Sequence, residues 1–219
     1  MTDERLLQPE LAATLAASRQ RATPERIALV ERAIEALRNS DILSPALRAG
    51  DLAPALVLTD AQERPVDVAA LWGQAPVIFS FYRGGWCPYC SLELRAWQRL
   101  LPEVQSCGAT LVAVSPQSPS HSLATIDDNT LAFPVLSDSS IAAAEGFGIA
   151  FAMADEQIAL YERLGIEIAQ RNGNGRWVLP LPTYVIERGG RIAWAHVEVD
   201  YRTRAEPADV LAALRELQR

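Results

Sequence analysis

Apolar positions recur at two different spacings along the 219-residue chain, and the spacing changes near residue 48. In the first part they recur every three or four residues, the spacing of a helix with one apolar face. Two such stretches occur, over residues 6–15 and 27–37. We therefore predict a helical extension over residues 1–48, whose apolar faces pack either on the chain's own core or on a second copy.

From residue 49 onward, short apolar runs alternate with helical stretches. Residues 76–82 are almost continuously apolar, as in a buried strand, and a glycine turn follows them. The pattern then predicts a helix over residues 88–105 and a second strand over residues 109–114. A strand–helix–strand unit of this kind makes the two strands parallel. We predict that residues 49–219 form one α/β domain.

The remaining elements continue the alternation. A hairpin is predicted where Gly189-Gly190 joins two apolar runs, because glycine tolerates the positive φ of a tight turn. The predicted strands cover residues 56–58, 66–68, 133–136, 183–187 and 191–199, and the predicted helices cover residues 118–129, 139–147, 156–164 and 207–217.

Composition narrows the chemistry. The chain has 20 basic and 27 acidic residues, a formal charge of −7, and all of its basic residues are arginine. Enzymes that need a Schiff-base or phosphate-loop lysine are thereby excluded. The acidic balance argues against nucleic acid and acidic membranes as partners. The acidic start of the chain does not look like a signal peptide, so we expect a cytoplasmic protein.

The chain holds three cysteines, an odd number in a chain too large for a disulfide-stapled scaffold, so thiol chemistry is indicated. Two of them lie in Trp86-Cys87-Pro88-Tyr89-Cys90, where the predicted helix begins. Free N–H groups and the helix dipole stabilise an anion there, which would lower the pKa of Cys87 and make it the nucleophile. Cys90 lies almost one turn later and is the predicted resolving thiol.

A zinc site is the structural alternative for this pair, but it would need further ligands at suitable spacing. Cys107, His121 and His196 are scattered along the chain without that spacing. We therefore predict no metal and no organic cofactor. Cys107 is interpreted as a small apolar residue at a helix end, His121 as exposed, and His196 as a core or sheet-face histidine.

Four further residues are predicted to contact substrate. Arg83, in the turn before the first cysteine, either holds a cation near the thiolate or is an ordinary solvated arginine. Trp86 is predicted to form an aromatic wall beside the thiol, with simple packing as the alternative. Pro182, with Thr183 after it, stands at the start of a predicted strand. A cis peptide bond before a proline at this position would be a specific feature of the fold.

A buried strand, a Trp-Cys-x-x-Cys helix and Pro182-Thr183 opening a hairpin resemble the thioredoxin fold, in which a cis-proline faces the redox pair. Three segments are also similar to the peroxiredoxin-like branch of the alkyl hydroperoxide reductase and thiol-specific antioxidant family: LRAGDLAP at 47–54, RGGWCPYC at 83–90 and RAEP at 204–207. The resemblance covers residues 47–217. It implies a mixed central sheet flanked by helices.

The sequence departs from that family at three positions. Typical peroxiredoxins have a proline seven residues before the reactive cysteine and a threonine or serine three before it, where this chain has Ser80 and Gly84. The family's activating arginine would fall near Leu181, so Arg83 or Arg176 would have to replace it.

The resemblance and the cysteine pair together predict a thiol-dependent antioxidant oxidoreductase. Cys87 would reduce a hydroperoxide and become a sulfenic acid, and Cys90 would resolve it to a disulfide that a thioredoxin- or glutathione-type donor reduces. A homodimer is expected by analogy. Two alternatives stay open: a protein-disulfide reductase or isomerase, and a non-catalytic redox-sensing interaction module.

Overall fold

The structure is a computed structural model that describes residues 6–181, 184–186 and 189–217. Its helices are α1 (Leu7–Arg21), α2 (Pro24–Arg38), α3 (Val68–Trp72), α4 (Pro88–Ser106), α5 (Pro119–Asn129), α6 (Ala142–Gly146), α7 (Asp155–Arg163), α8 (Ile168–Arg171) and α9 (Pro207–Glu216). Its strands are β1 (Val57–Asp60), β2 (Pro65–Asp67), β3 (Val77–Phe81), β4 (Thr110–Ser115), β5 (Val135–Ser137), β6 (Ala150–Ala152), β7 (Val178–Pro180), β8 (Tyr184–Ile186) and β9 (Ile192–Ala195). Within these ranges no helix has both the length and the apolar character needed to cross a bilayer.

Seven strands in the described part of the chain form one mixed sheet, in the order β2-β1-β5-β4-β3-β8-β9. The three central strands β3, β4 and β5 are parallel, and β8 runs antiparallel to β3. The predicted strand–helix–strand unit is therefore confirmed as β3–α4–β4. Strands β6 and β7 form a separate two-stranded sheet. The sequence did not predict that sheet, because α7 and α8 separate its two strands and no hairpin turn marks their pairing.

Strand β3 lies inside the sheet and positions the site. All five of its residues are buried, and successive side chains point to opposite faces. Ile78 packs into the core shared with α1, α4 and α9, whereas Phe79 and Phe81 pack into the core on the other face. The strand ends at Phe81, so the turn that follows carries Cys87 to the edge where the parallel strands end.

The helical extension packs on its own chain. Leu7 and Leu11 of α1 are buried in the core that also contains the apolar face of α4. The Glu206 carboxylate accepts hydrogen bonds from the backbone N–H groups of Leu7 and Gln8, at 2.8 and 3.1 Å. This carboxylate caps the first turn of α1 from a residue just before α9.

Two element boundaries differ from the prediction for identifiable reasons. The strand predicted over residues 66–68 ends at Asp67, because its carboxylate accepts a hydrogen bond from the Ala69 N–H and starts α3. The helix predicted from residue 139 begins only at Ala142, after Asp138, whose carboxylate accepts from two N–H groups of the first turn. The last predicted strand also ends early, at Ala195. Pro182, Thr183 and Glu187 lie outside the described residues.

The packing of α1 gives a stability prediction. Leu11 is 4% exposed and Leu6, just before the helix, is 40% exposed. We expect Leu11→Ala to lower the free energy of unfolding by about 2–5 kcal/mol, because it leaves a cavity in the core. The matched Leu6→Ala change should cost less than about 0.5 kcal/mol. Urea denaturation measures both, and equal effects would contradict the packing of α1 on the core.

Candidate active site

The cysteine pair lies where β3 passes through a turn into α4. Cys87 is the N-cap residue of the helix, with φ −95° and ψ 113°, and Pro88 takes the first helical position. The Cys87 carbonyl accepts hydrogen bonds from the N–H groups of Cys90 and Ser91, at 3.0 and 3.1 Å. The first thiol therefore lies at the positive end of the helix dipole, as the sequence predicts.

Both cysteines are free thiols, and both are buried. Burial opposes ionisation of Cys87, but a hydrogen bond from the Cys90 thiol and the charges of Arg83 and Arg204 lower its pKa to about 6. Burial, followed by the neighbouring Cys87, raises the pKa of Cys90 well above its usual value. Near neutral pH the pair is therefore a thiolate at Cys87 and a thiol at Cys90.

Arg83 is a fixed cation and not a solvated side chain. It is 3% exposed, and its guanidinium lies 4.1 Å from the ring centroid of Tyr201, 4.9 Å from that of Trp86 and 5.8 Å from that of Tyr161. Its Nη2 donates to the Tyr161 hydroxyl at 3.1 Å. Its Nε and Nη1 have no hydrogen-bond partner among residues 6–181, 184–186 and 189–217. The interpretation of Arg83 as a solvated arginine is wrong.

The other arginine considered as a replacement, Arg176, lies elsewhere. It is exposed and pairs with Glu145 at 3.0 Å. Of the two arginines, Arg83 is the one whose charge acts on Cys87.

Trp86 belongs to the aromatic group around Arg83. Its ring meets that of Tyr161 edge-on, with centroids 5.4 Å apart. Gly84 has φ +145°, and a Cβ on it would lie 2.3 Å from Trp86 Nε1. The indole thus occupies the space beside this position. This explains why the chain has glycine where typical peroxiredoxins have a threonine or serine.

A glutamine that the sequence analysis did not single out holds the same turn. The Gly85 N–H donates to Gln117 Oε1 at 2.8 Å, and Thr125 donates to the same oxygen at 3.3 Å. Gln117 is buried just after β4. Local sequence gives no signal for this contact, because the two partners are 32 residues apart.

A buried ion pair borders Cys90, and the sequence analysis gave it no role. Arg204 Nε lies 2.6 Å from Glu93 Oε2, with both side chains almost fully buried. Arg204 Nη2 lies 3.4 Å from Cys90 Sγ. Ser80 donates to the other Glu93 oxygen at 3.3 Å. Glu93 was detectable as an acid on the apolar face of the helix, one turn after Cys90. Arg204 begins the RAEP segment that resembles the family, but that resemblance gave no sign of its contact with Cys90.

The remaining predicted residues lie apart from the thiol pair or outside the described ranges. Cys107 follows the last residue of α4 and is partly buried. His121 is half-buried and not exposed, because its Nδ1 is hydrogen-bonded to Ser118 Oγ at 2.8 Å. His196 follows β9 and is half-buried. Pro182 and Thr183 belong to the part that is not described. No group of three or more metal-ligating side chains occurs in the described ranges.

The mixed sheet, with a Cys-x-x-Cys pair at the start of the helix after a central strand, places the chain in the thioredoxin-fold class. Within that class, the chain belongs to the AhpC/TSA family, whose model matches residues 49–195. The resemblance seen in the sequence is confirmed. So is the predicted fold: a mixed α/β sheet of the peroxiredoxin type with N-terminal helices.

Three similar proteins illustrate the membership. The chain is 27% identical over 103 residues to the thiol-disulfide oxidoreductase ResA of Halalkalibacterium halodurans. These residues are 47% of this chain and 57% of the relative. It is 32% identical over 92 residues to a putative peroxiredoxin of Mycobacterium tuberculosis, covering 42% and 58%. The chain thus spans less than two thirds of either relative. The crystal structure of peroxidoxin BcpB from Mycobacterium tuberculosis shares the fold, with a TM-score of 0.62, 19% identity and coverage of 78% of this chain and 98% of that one.

The electrostatics of the site predict a titration. In a Cys107→Ser background, the ultraviolet absorbance of the thiolate should appear with a midpoint near pH 6 and vanish on acidification, because the pKa of Cys87 is lowered. Arg83→Gln should move this midpoint upward, since it removes a cation that favours the thiolate. Arg176→Gln is the control and should leave it in place. An unchanged midpoint in Arg83→Gln would mean that the helix terminus, the Cys90 hydrogen bond and Arg204 suffice.

Proposed function

We propose that this protein is a thiol-dependent peroxidase that reduces hydroperoxides through Cys87 and Cys90. The observation that carries the proposal is the difference in ionisation between the two cysteines. One buried sulfur has a pKa of about 6 and the other a raised pKa, one helical turn apart. A thiolate is the nucleophile that attacks a peroxide oxygen, and a neighbouring thiol is what resolves the product.

The proposed reaction has three steps. The Cys87 thiolate attacks the terminal oxygen of the hydroperoxide, the O–O bond breaks, and the alkoxide leaves and takes a proton from water. Cys87 is now a sulfenic acid. The Cys90 sulfur attacks the Cys87 sulfur, and the hydroxyl leaves as water with the Cys90 proton. An external thiol donor then reduces the disulfide by two successive exchanges.

Arg83 has two roles in this proposal. It stabilises the Cys87 thiolate. Its Nε and Nη1, which have no hydrogen-bond partner within the described ranges, would donate hydrogen bonds to an oxygen of the bound peroxide. Trp86 is proposed to line the approach to the thiol. Pro182 and Thr183 are proposed to contact substrate on the strength of the family resemblance alone.

The donor is proposed to be a thioredoxin- or glutathione-type thiol, acting in the cytoplasm, where such donors keep thiols reduced. A homodimer remains a proposal from family analogy, and sedimentation equilibrium tests it. Disulfide exchange with other proteins is the rival function, because one of the similar proteins is named a thiol-disulfide oxidoreductase.

Cysteine substitutions test the peroxidase. With hydrogen peroxide or an organic hydroperoxide and a thioredoxin-type donor, Cys87→Ser should reduce peroxide consumption to the uncatalysed rate, because it removes the nucleophile. Cys90→Ser should still be oxidised once, giving a sulfenic acid that dimedone traps, but should not form the intramolecular disulfide. Cys107→Ser is the matched control and should behave as wild type. Unchanged consumption by Cys87→Ser would refute the mechanism.

The rival function is separated by a second assay. The peroxidase proposal expects slow reduction of insulin disulfides beside fast peroxide turnover with the same donor. Fast insulin reduction with negligible peroxide turnover would favour a protein-disulfide reductase. Oxidation without multiple turnover, together with a change in oligomeric mass, would favour a redox sensor.

A further inference from the structure

The buried charges around the two sulfurs balance one thiolate. In the described part of the chain, Arg83 and Arg204 supply two positive charges and Glu93 supplies one negative charge, all almost fully buried. Their sum is one positive charge. A buried charge is costly unless it is compensated, so a pocket of this composition favours one negative sulfur over none or two.

Other ionisable groups near the pair do not change this balance. Arg202 is bound to both Asp200 and Glu31, at 2.8 and 2.7 Å, in a separate network. Glu198, Glu93 and Arg204 all act electrostatically on His196, but burial is the largest effect and lowers its pKa, so its ring is neutral near pH 7. The hydroxyls of Tyr82 and Tyr201 have raised pKa values, chiefly because of burial, and stay protonated.

Both cations favour the Cys87 thiolate, but of the two only the Arg204 side chain also contacts Cys90. Arg83 lies among aromatic rings, and its charge acts on Cys87. Arg204 donates from Nη2 to Cys90 Sγ, and its Nε is held by Glu93. Two donor contacts fix the guanidinium further, since Nη1 donates to the Tyr201 and Thr203 carbonyls. Such a pair is costly to bury, and apolar side chains of similar volume would fill the space as stably. Stability alone therefore does not account for it.

We propose that Arg204 is the catalytic cation for Cys90, with Glu93 as its positioning residue, and that the single negative charge of the pocket passes from Cys87 to Cys90 during the cycle. This inference rests on the dithiol cycle proposed above. In the reduced state the charge is on Cys87, beside Arg83. When Cys87 becomes a neutral sulfenic acid, its repulsion of negative charge on Cys90 is gone, and Arg204 stabilises the charge that develops there.

Arg204 acts both when the disulfide forms and when it is reduced. During closure, the Cys90–Cys87 bond forms, the S–O bond breaks, and the Cys90 proton leaves with the hydroxyl as water. During reduction, an external thiolate attacks the Cys87 sulfur, the S–S bond breaks, and its electron pair goes to Cys90. Arg204 is in contact with the sulfur that carries the negative charge in each case. A leaving thiol with a lower pKa leaves faster.

Stopped-flow kinetics with Cys107→Ser protein test closure. At about pH 8 Cys87 is fully ionised, so the peroxide-dependent phase reports attack and the concentration-independent phase reports closure. Arg204→Gln should slow closure about ten- to a hundredfold, the worth of a hydrogen bond to a charged group, and increase trapping by dimedone. The attack phase should change less than about threefold, since Cys87 stays ionised at this pH. Arg204→Lys should recover part of the closure rate.

A second measurement does not depend on peroxide. Protein oxidised with diamide is reduced by dithiothreitol, and its reduction potential and the pH profile of reduction are recorded. Arg204→Gln should slow reduction and shift the potential to more negative values, because the reduced state loses a cation that stabilises its thiolate. Glu93→Gln should shift the potential the other way, to less negative values, because it removes the anion that offsets one of the two cations while Arg204 stays held by the Tyr201 and Thr203 carbonyls. Failure to react with peroxide would refute the peroxidase, whereas unchanged potential and reduction rate would overturn the role of Arg204.

Two further variants separate chemistry from folding. Arg95→Gln alters an arginine on the same helix that binds Asn129 away from the sulfurs, and it should leave closure, reduction and potential at wild-type values. The double variant Glu93→Met with Arg204→Met leaves no unpaired buried charge and should fold. It should nevertheless show the kinetic defects of Arg204→Gln. Wild-type kinetics in the folded double variant would refute the proposal.

Discussion

The site depends on keeping a negative charge on a sulfur that water scarcely reaches. Burial alone would protonate Cys87, so the protein must supply compensation from fixed groups. It does so with the start of α4, the Cys90 thiol and nearby guanidinium groups. Because the chain has no lysine, every cation near the pair is an arginine, which stays protonated even when buried.

Buried arginines need partners, and those partners bind distant segments into one site. Arg83 packs against rings from the turn before α4, from α7 and from the segment before α9. Arg204 binds an acid on α4 across 111 residues of sequence. The thiol pair is therefore a local motif, but its electrostatic environment is a property of the whole fold.

This division explains what sequence could predict. The strand, the turn, the helix and the order of the two cysteines follow from residues 76–105 alone, because burial pattern, glycine turn and first-turn proline are local signals. Gln117, Tyr161 and Arg204 reach the site through tertiary contacts, and a single sequence has no local pattern for these. The small sheet of β6 and β7 was missed for a related reason, since its pairing is fixed by neighbours and not by its own three-residue strands.

The Glu206 carboxylate that caps α1 has a consequence for synthesis. Chains are made from the N-terminus, and the cap is 199 residues behind the helix that it serves. While the ribosome is still translating, α1 lacks its cap, and the two sulfurs, already made, lack Arg204. Until residues 204–206 emerge, the apolar side chains of α1 and the dithiol therefore lack these partners. Protection of both elements thus waits for the same few residues, which are made long after the parts that they protect.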